Sequence, residues 1–207
     1  MKLSLVERET ILLYNQAEPM AEVYTHDPRL MEKLSPPGSG GVALVGGPFT
    51  MVKHTGEPVT EKNFAGKPML VFFGYSYCPD VCPTTLSKLS SVTRRLGEDR
   101  PKVKTLYISV DPERDTPEVL KADLDQFDLD ALGLTGSREE VDQVVKQFGA
   151  KYEIVPTPES AAKYTVSHST TLYALDAKGR VRLLFPYEAT VDEIVAGIKR
   201  ILVDDAE

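Results

Sequence analysis

The sequence predicts an α/β domain with a central, mostly parallel sheet flanked by helices, and three features carry that expectation. The short apolar run Met69-Leu70-Val71-Phe72-Phe73 reads as a fully buried strand ending at Gly74. Helical and strand patterns then alternate to the C-terminus, the order that joins parallel strands through helices. Two capping boxes, Ser137 with Glu140 and Thr190 with Glu193, mark helix starts. At 207 residues the chain has room for one such domain and an appendage, so a core can form without disulfide staples.

The elements follow in order. Thr10 to Tyr14 and Ala21 to Thr25 alternate like two short strands around Asn15 to Pro19, and Pro28 to Leu34 suits two helical turns. Ser35-Pro36-Pro37-Gly38-Ser39-Gly40-Gly41 has linker composition, which divides an N-terminal extension, residues 1–41, from the main domain, residues 42–207. A piece as small as the extension cannot hold a core by itself. Pro48 to Val52 and Pro58 to Thr60 read as edge strands turned at Gly56, and the buried run at Met69 follows.

From Pro83 to Leu96, apolar Leu86, Leu89, Val92 and Leu96 recur at helical spacing, closed by Gly97. Val103 to Val110 is another strand, Thr116-Pro117-Glu118 opens a helix, and Leu132 to Leu134 is a short strand. The Ser137 box starts a helix ending near Phe148. Thr171 to Asp176 and Arg180 to Phe185 form a hairpin turned at Ala177-Lys178-Gly179, and the Thr190 box starts the last helix, to about Leu202. A terminal hairpin and helix after this alternation fit a thioredoxin-like arrangement.

Charge narrows the function classes. The formal net charge is -7, from 31 acidic against 24 basic residues spread along the chain, which argues against nucleic acid or an anionic membrane as the main partner. No stretch approaches the roughly 20 apolar residues of a membrane span, and no apolar region follows Met1 to Thr10 to make a secretory signal. No phosphate-loop context surrounds the Gly-rich linker.

The chain has two cysteines, four positions apart in Tyr77-Cys78-Pro79-Asp80-Val81-Cys82-Pro83. Two adjacent thiols with no others point to redox or metal work; the plainer alternative is a pair of buried apolar side chains. Each precedes a proline, which disfavours helical geometry, so Cys78 to Cys82 is expected as loop. Pro83 then suits the first helical position and Cys82 the N-cap, beside the positive end of the helix dipole. Thiolate character there serves metal ligation and disulfide exchange equally.

Soft thiolates select copper(I), zinc or iron–sulfur clusters, but two sulfurs leave each short of ligands. Of three histidines, His26 lies before the linker and His54 in an edge-strand turn, whereas His168 in Val166-Ser167-His168-Ser169-Thr170 occupies the loop entering a buried strand. In a thioredoxin-like fold that loop faces the thiol loop. A metal-independent thiol–disulfide oxidoreductase is the main alternative, although the two-residue cysteine spacing of thioredoxins and a proline just before Thr171 are absent. A peroxidase would need a threonine three residues before its reactive cysteine, where Pro79 stands.

Gly74-Tyr75-Ser76-Tyr77-Cys78-Pro79-Asp80-Val81-Cys82-Pro83, the stretch Ser109-Val110-Asp111-Pro112-Glu113-Arg114-Asp115-Thr116-Pro117, and His168 together resemble the Sco/SenC family, over about Gly46 to Leu202. Gly46-Gly47-Pro48-Phe49 and Asn63-Phe64-Ala65-Gly66-Lys67-Pro68 add to the likeness. The resemblance implies one copper ion, as copper(I) or copper(II), held by Cys78, Cys82 and His168. It implies a metallochaperone, with Cys78 and Cys82 as a redox-active pair, that delivers copper to the dinuclear copper centre of cytochrome c oxidase or reduces the cysteines receiving it.

The partner so implied is subunit II of the oxidase or another copper chaperone, and the compartment periplasmic or membrane-facing. Asp80, Asp111 and Asp115 fall near the implied site, where a carboxylate could tune His168 or guide a partner; Asp111 ending a strand and Asp115 capping a helix is the plainer reading. The first 40 residues depart from the anchor or signal usual in the family.

Overall fold

The computed structural model describes residues 11–14, 21–24 and 48–205. The chain divides into two compact units, Met1–Ala43 and Leu44–Glu207. In the first, β1 (Ile11–Tyr14) pairs antiparallel with β2 (Ala21–Tyr24), Ile11 opposite Tyr24. The helical turns expected at Pro28 to Leu34 and the linker at Ser35 to Gly41 lie outside the described residues.

The second unit contains β3 (Thr50–Lys53), β4 (Pro58–Thr60), β5 (Met69–Gly74), α1 (Val81–Leu96), β6 (Lys104–Ser109), α2 (Pro117–Leu124), β7 (Ala131–Thr135) and α3 (Arg138–Gln147). There follow β8 (Tyr152–Pro156), β9 (Tyr164–His168), β10 (Leu172–Leu175), β11 (Val181–Phe185) and α4 (Val191–Asp204). Seven strands form one sheet in the order β11-β10-β5-β6-β7-β3-β4. The central trio β5, β6 and β7 is parallel, its neighbours β10 and β3 run antiparallel to it, and the edge strands β11 and β4 pair antiparallel with those in turn. Short turns permit only antiparallel neighbours, whereas α1 and α2 are the crossovers that the parallel strands need.

All six residues of β5 are buried, as the unbroken apolar run requires for a strand covered on both faces. Its neighbour β6 is buried from Thr105 to Ser109. Helix α1 places Leu86, Leu89, Val92 and Leu96 in the core at the expected spacing, packs against α4 and stops at Gly97, whose φ of 57° suits glycine. Thr116 caps α2 through Val119 N–H with Pro117 in the first turn, and both capping boxes form as expected.

Two features depart from the sequence reading. Short 3₁₀ turns occupy Glu61–Phe64 and Gly97–Lys102. More consequential is the separate antiparallel pair β8–β9, with Tyr152 opposite His168 and Pro156 opposite Tyr164. Residues 153–156 are exposed and only Val166 of β9 is buried, so no apolar run announces either strand.

Candidate metal centre

The thiol loop begins where β5 leaves the core. Gly74 is its last residue, the chain turns through Tyr75 to Asp80, and Cys78 N–H donates to the Tyr75 carbonyl at 3.1 Å. Helix α1 then starts at Val81, two residues before the proline expected to begin it. Asp80, not Cys82, is therefore the N-cap, and Cys82 lies in the first helical turn. The first four N–H groups of a helix have no internal partner, so Pro83 loses no hydrogen bond by sitting two residues in. The loop proper ends at Asp80, and Cys82 remains at the positive end of the dipole.

Cys82 is 2% exposed, its side chain turned into the core, while Cys78 is partly exposed; both are free thiols. Room for the Cys82 sulfur comes from Gly74. A Cβ there would meet Cys82 Sγ at 2.7 Å and the Tyr107 ring at 2.7 Å, so a side chain at position 74 has no space without displacing one of them.

His168 is the last residue of β9 rather than part of a loop, and three polar ties attach its hairpin to the rest of the domain. Tyr75, 1% exposed, accepts from Val166 N–H at 3.3 Å and pairs its hydroxyl with Thr165 Oγ1 at 2.8 Å. Asp111, fully buried, accepts from Tyr164 Oη at 2.8 Å and from Arg114 Nε at 2.5 Å, while Arg114 Nη1 donates to the Tyr164 carbonyl at 3.1 Å. The Arg114 guanidinium also lies 3.8 Å from the Tyr164 ring centre and 5.0 Å from that of Tyr77. Arg138, paired with Glu113, donates to Tyr152 Oη at 2.9 Å.

Asp115 serves the other arm. Its carboxylate accepts from Ser76 N–H at 3.1 Å, from the Ser76 hydroxyl and from Ser109 Oγ at 2.5 Å, pinning the start of the thiol loop to the end of β6. Burial raises its pKa, against these hydrogen bonds. The expected capping role belongs to Thr116 instead. The acidic stretch from Asp111 to Asp115 thus ties together both arms of the site; sequence reasoning placed it nearby but missed Arg114, Tyr75 and Ser76 as its partners.

The Sγ atoms of Cys78 and Cys82 and a ring nitrogen of His168 all lie within 4.8 Å of one another. Cys82 Sγ is 3.5 Å from His168 Nε2, and His168 Nδ1 is 3.0 Å from the Ser169 carbonyl. A carbonyl only accepts, so Nδ1 donates to it, and Nε2 is the ring nitrogen that faces Cys82 Sγ. Phe72 and Tyr75 meet the imidazole edge-on, at centroid distances of 6.1 and 5.8 Å, and hold its plane.

Electrostatics divide the two thiols. A hydrogen bond from Cys82 is the largest influence holding the Cys78 pKa well below the ordinary thiol range, against burial, with help from the His168 side chain and then from the Asp80 and Cys82 backbone N–H groups. The same bond, then burial, then the Cys78 charge push Cys82 up. The two thiols are thus driven in opposite directions, the partly exposed one toward thiolate and the buried one toward thiol. Of the other histidines, His54 accepts from Gly133 N–H at 2.9 Å with its pKa lowered mainly by burial, a structural role, and His26 lies outside the described residues.

Two sulfurs and an imidazole form a soft, three-donor set, and no fourth metal-ligating side chain joins it among the described residues. Residues 38–203 match the model of the SCO1/SenC family. Protein SenC of Rhodobacter capsulatus is 42% identical over 68% of this chain and 63% of its own length. The human protein SCO1 homolog, mitochondrial, is 38% identical over 76% of this chain and 53% of its own length. The chain thus spans less than two thirds of these relatives.

Among solved structures, that of Bradyrhizobium japonicum ScoI with copper bound superposes with a TM-score of 0.70 at 42% identity, covering 76% of this chain and 99% of that one. BsSco, described as a member of the Sco family of cytochrome c oxidase assembly proteins with a disulfide switch, is 26% identical with a TM-score of 0.62, over 77% and 94% of the two chains. No helix among the described residues is long and apolar enough to cross a membrane. With residues 38–203 matched by the family model and relatives at 38% and 42% identity, the chain belongs to the SCO1/SenC family.

Proposed function

We propose that this protein binds a single copper ion through Cys78, Cys82 and His168 and hands it on in the assembly of the dinuclear copper centre of cytochrome c oxidase. The observation that carries this reading is the convergence of three donor atoms within 4.8 Å, one of them an imidazole nitrogen on a ring oriented by the bond from Nδ1 to the Ser169 carbonyl. Thiolates suit copper(I) and imidazole suits copper(II), so the set accommodates both states. Structural zinc takes four protein ligands, which this group does not supply. Three donors also leave a position at which a recipient's ligand can attack, so the cargo transfers by ligand exchange.

The recipient in this reading is subunit II of the oxidase or a second copper chaperone, met on the periplasmic or membrane-facing side. The domain of residues 42–207 carries the activity, and removal of residues 1–41 is expected to leave copper binding unchanged.

A second reading rests on the asymmetry of the thiols. A partly exposed thiolate beside a buried, proton-holding thiol is the pairing of attacking and resolving sulfurs that disulfide exchange needs, so reduction of a target's cysteines is the alternative activity of the same pair.

Anaerobic titration with copper(I) against a competing chelator, and with copper(II) by absorption and electron paramagnetic resonance, separates the readings. The copper reading expects one tight equivalent, a sulfur-to-copper(II) charge-transfer band lost in Cys78→Ser, and a His168→Ala variant that loses more copper(II) than copper(I) affinity. Weak, non-stoichiometric binding that neither variant changes would overturn it in favour of disulfide exchange.

A further inference from the structure

Tyr107 is wholly buried in the centre of the sheet, yet its hydroxyl has no hydrogen-bond partner among the described residues. Leaving a hydroxyl unpaired in the core is costly, and packing does not ask for the oxygen. Phe72, directly opposite in the β5–β6 register, stacks on the Tyr107 ring at 6.0 Å and 16° with a phenyl ring alone. The oxygen calls for a different explanation.

Its surroundings supply one. The Tyr107 Cε2 atom, next to the hydroxyl-bearing carbon, and Cys82 Sγ both stand 2.7 Å from where a Cβ on Gly74 would be, so they flank the same notch. Each group influences the other's protonation, while the hydroxyl makes no formed hydrogen bond. A phenol keeps its proton at neutral pH and is available as a donor. Sulfur ligates metal as thiolate, and a thiolate is a far stronger acceptor than a thiol. The donor idle in the free site thus faces the atom that gains charge when the site is loaded.

We propose that Tyr107 is a positioning residue of the metal site, donating its hydroxyl proton in a hydrogen bond to Cys82 Sγ when that sulfur is metal-bound. This rests on the copper reading above. A hydrogen bond to a coordinating thiolate draws electron density from sulfur and favours the lower-valent ion. Tyr107 therefore biases the site toward copper(I), while His168 supports copper(II). No covalent bond changes in this step, and the shared proton stays nearer oxygen.

Tyr107→Phe removes the oxygen and keeps the ring. With the wild type as reference, the variant is expected to lose about tenfold in copper(I) affinity relative to copper(II), the range of a hydrogen bond to a charged group. Its sulfur-to-copper(II) charge-transfer band is expected to move to lower energy, a readout that a purely packing role would not move. The copper-free variant is expected to be at least as stable as wild type in urea, since an unpaired polar atom has been removed. An unchanged band and affinity ratio, or a copper-free variant clearly less stable than wild type, would overturn the assignment. Failure of the wild type to bind one copper equivalent would instead bring down the copper reading, and this inference with it.

Discussion

The thiol loop and the histidine hairpin bring their ligands to the same place by opposite means. The loop grows from the most buried strand of the sheet straight into the longest helix, so Cys82 sits on core packing and on Gly74, which leaves space for its sulfur. The β8–β9 hairpin lies outside the main sheet, is exposed along most of β8, and is attached through Tyr75, the Asp111–Arg114 pair and Arg138. A ligand held by polar ties can be lost without unfolding the core, whereas one held by packing cannot. In this protein the thiols belong to the main sheet and its helix, and the imidazole to an outlying arm fixed by these ties and by buried Val166.

The largest expected effect breaks the arm. Asp111→Ala leaves the partly buried Arg114 guanidinium without its carboxylate and frees Tyr164, at a cost of about 3 kcal/mol in urea unfolding. Copper(II) affinity is expected to fall at least as far as in His168→Ala, while the Cys78–Cys82 disulfide still forms. If disulfide formation failed as well, loop and arm would not be separately held.

Gly74→Ala tests the opposite side. The added methyl collides with Cys82 Sγ and the Tyr107 ring, and overpacking of this kind costs about 2 kcal/mol. Thermal unfolding and copper(I) titration are both expected to suffer, because here the core and the ligand are the same atoms. Loss of stability with unimpaired copper(I) binding would show that the sulfur relocates freely.

The smallest effect is a gain. Burial, ahead of the nearby charges of Asp115 and Cys78, raises Asp123 in α2 to about 6. A carboxyl whose folded pKa lies above its unfolded one binds more protons when folded, so its contribution to stability declines as pH rises from about 4 to 6 and stays low at neutral pH. Asp123→Asn is expected to stabilise the protein by about 1 kcal/mol at pH 7 and to do nothing below about pH 3, where both states are protonated. A gain independent of pH would assign the effect to something other than this charge.

Much of the fold was legible because its signals are local. The apolar run at Met69, the spacing from Leu86 to Leu96, Thr116 before Pro117 and the two capping boxes each act within a few residues, and each element formed where it was expected. The helix start was displaced by two residues because proline is tolerated throughout the first turn. The hairpin carrying His168 went unread because its strands are half exposed and stand on either side of the segment from Thr157 to Lys163. The alternation of Tyr164, Val166 and His168 was the available signal, weak without an apolar partner strand.

By itself the sequence determined the buried sheet, the helix behind the cysteines and the identity of the three candidate ligands, since propensity, capping and apolar period operate over short separations. Only the tertiary structure decided which thiol is buried, which imidazole nitrogen faces it, that Tyr107 lies beside Cys82, and that Tyr75, Asp111 and Arg114 hold the hairpin that carries His168. Those relations join residues far apart in the chain, and no local pattern encodes a distance between them.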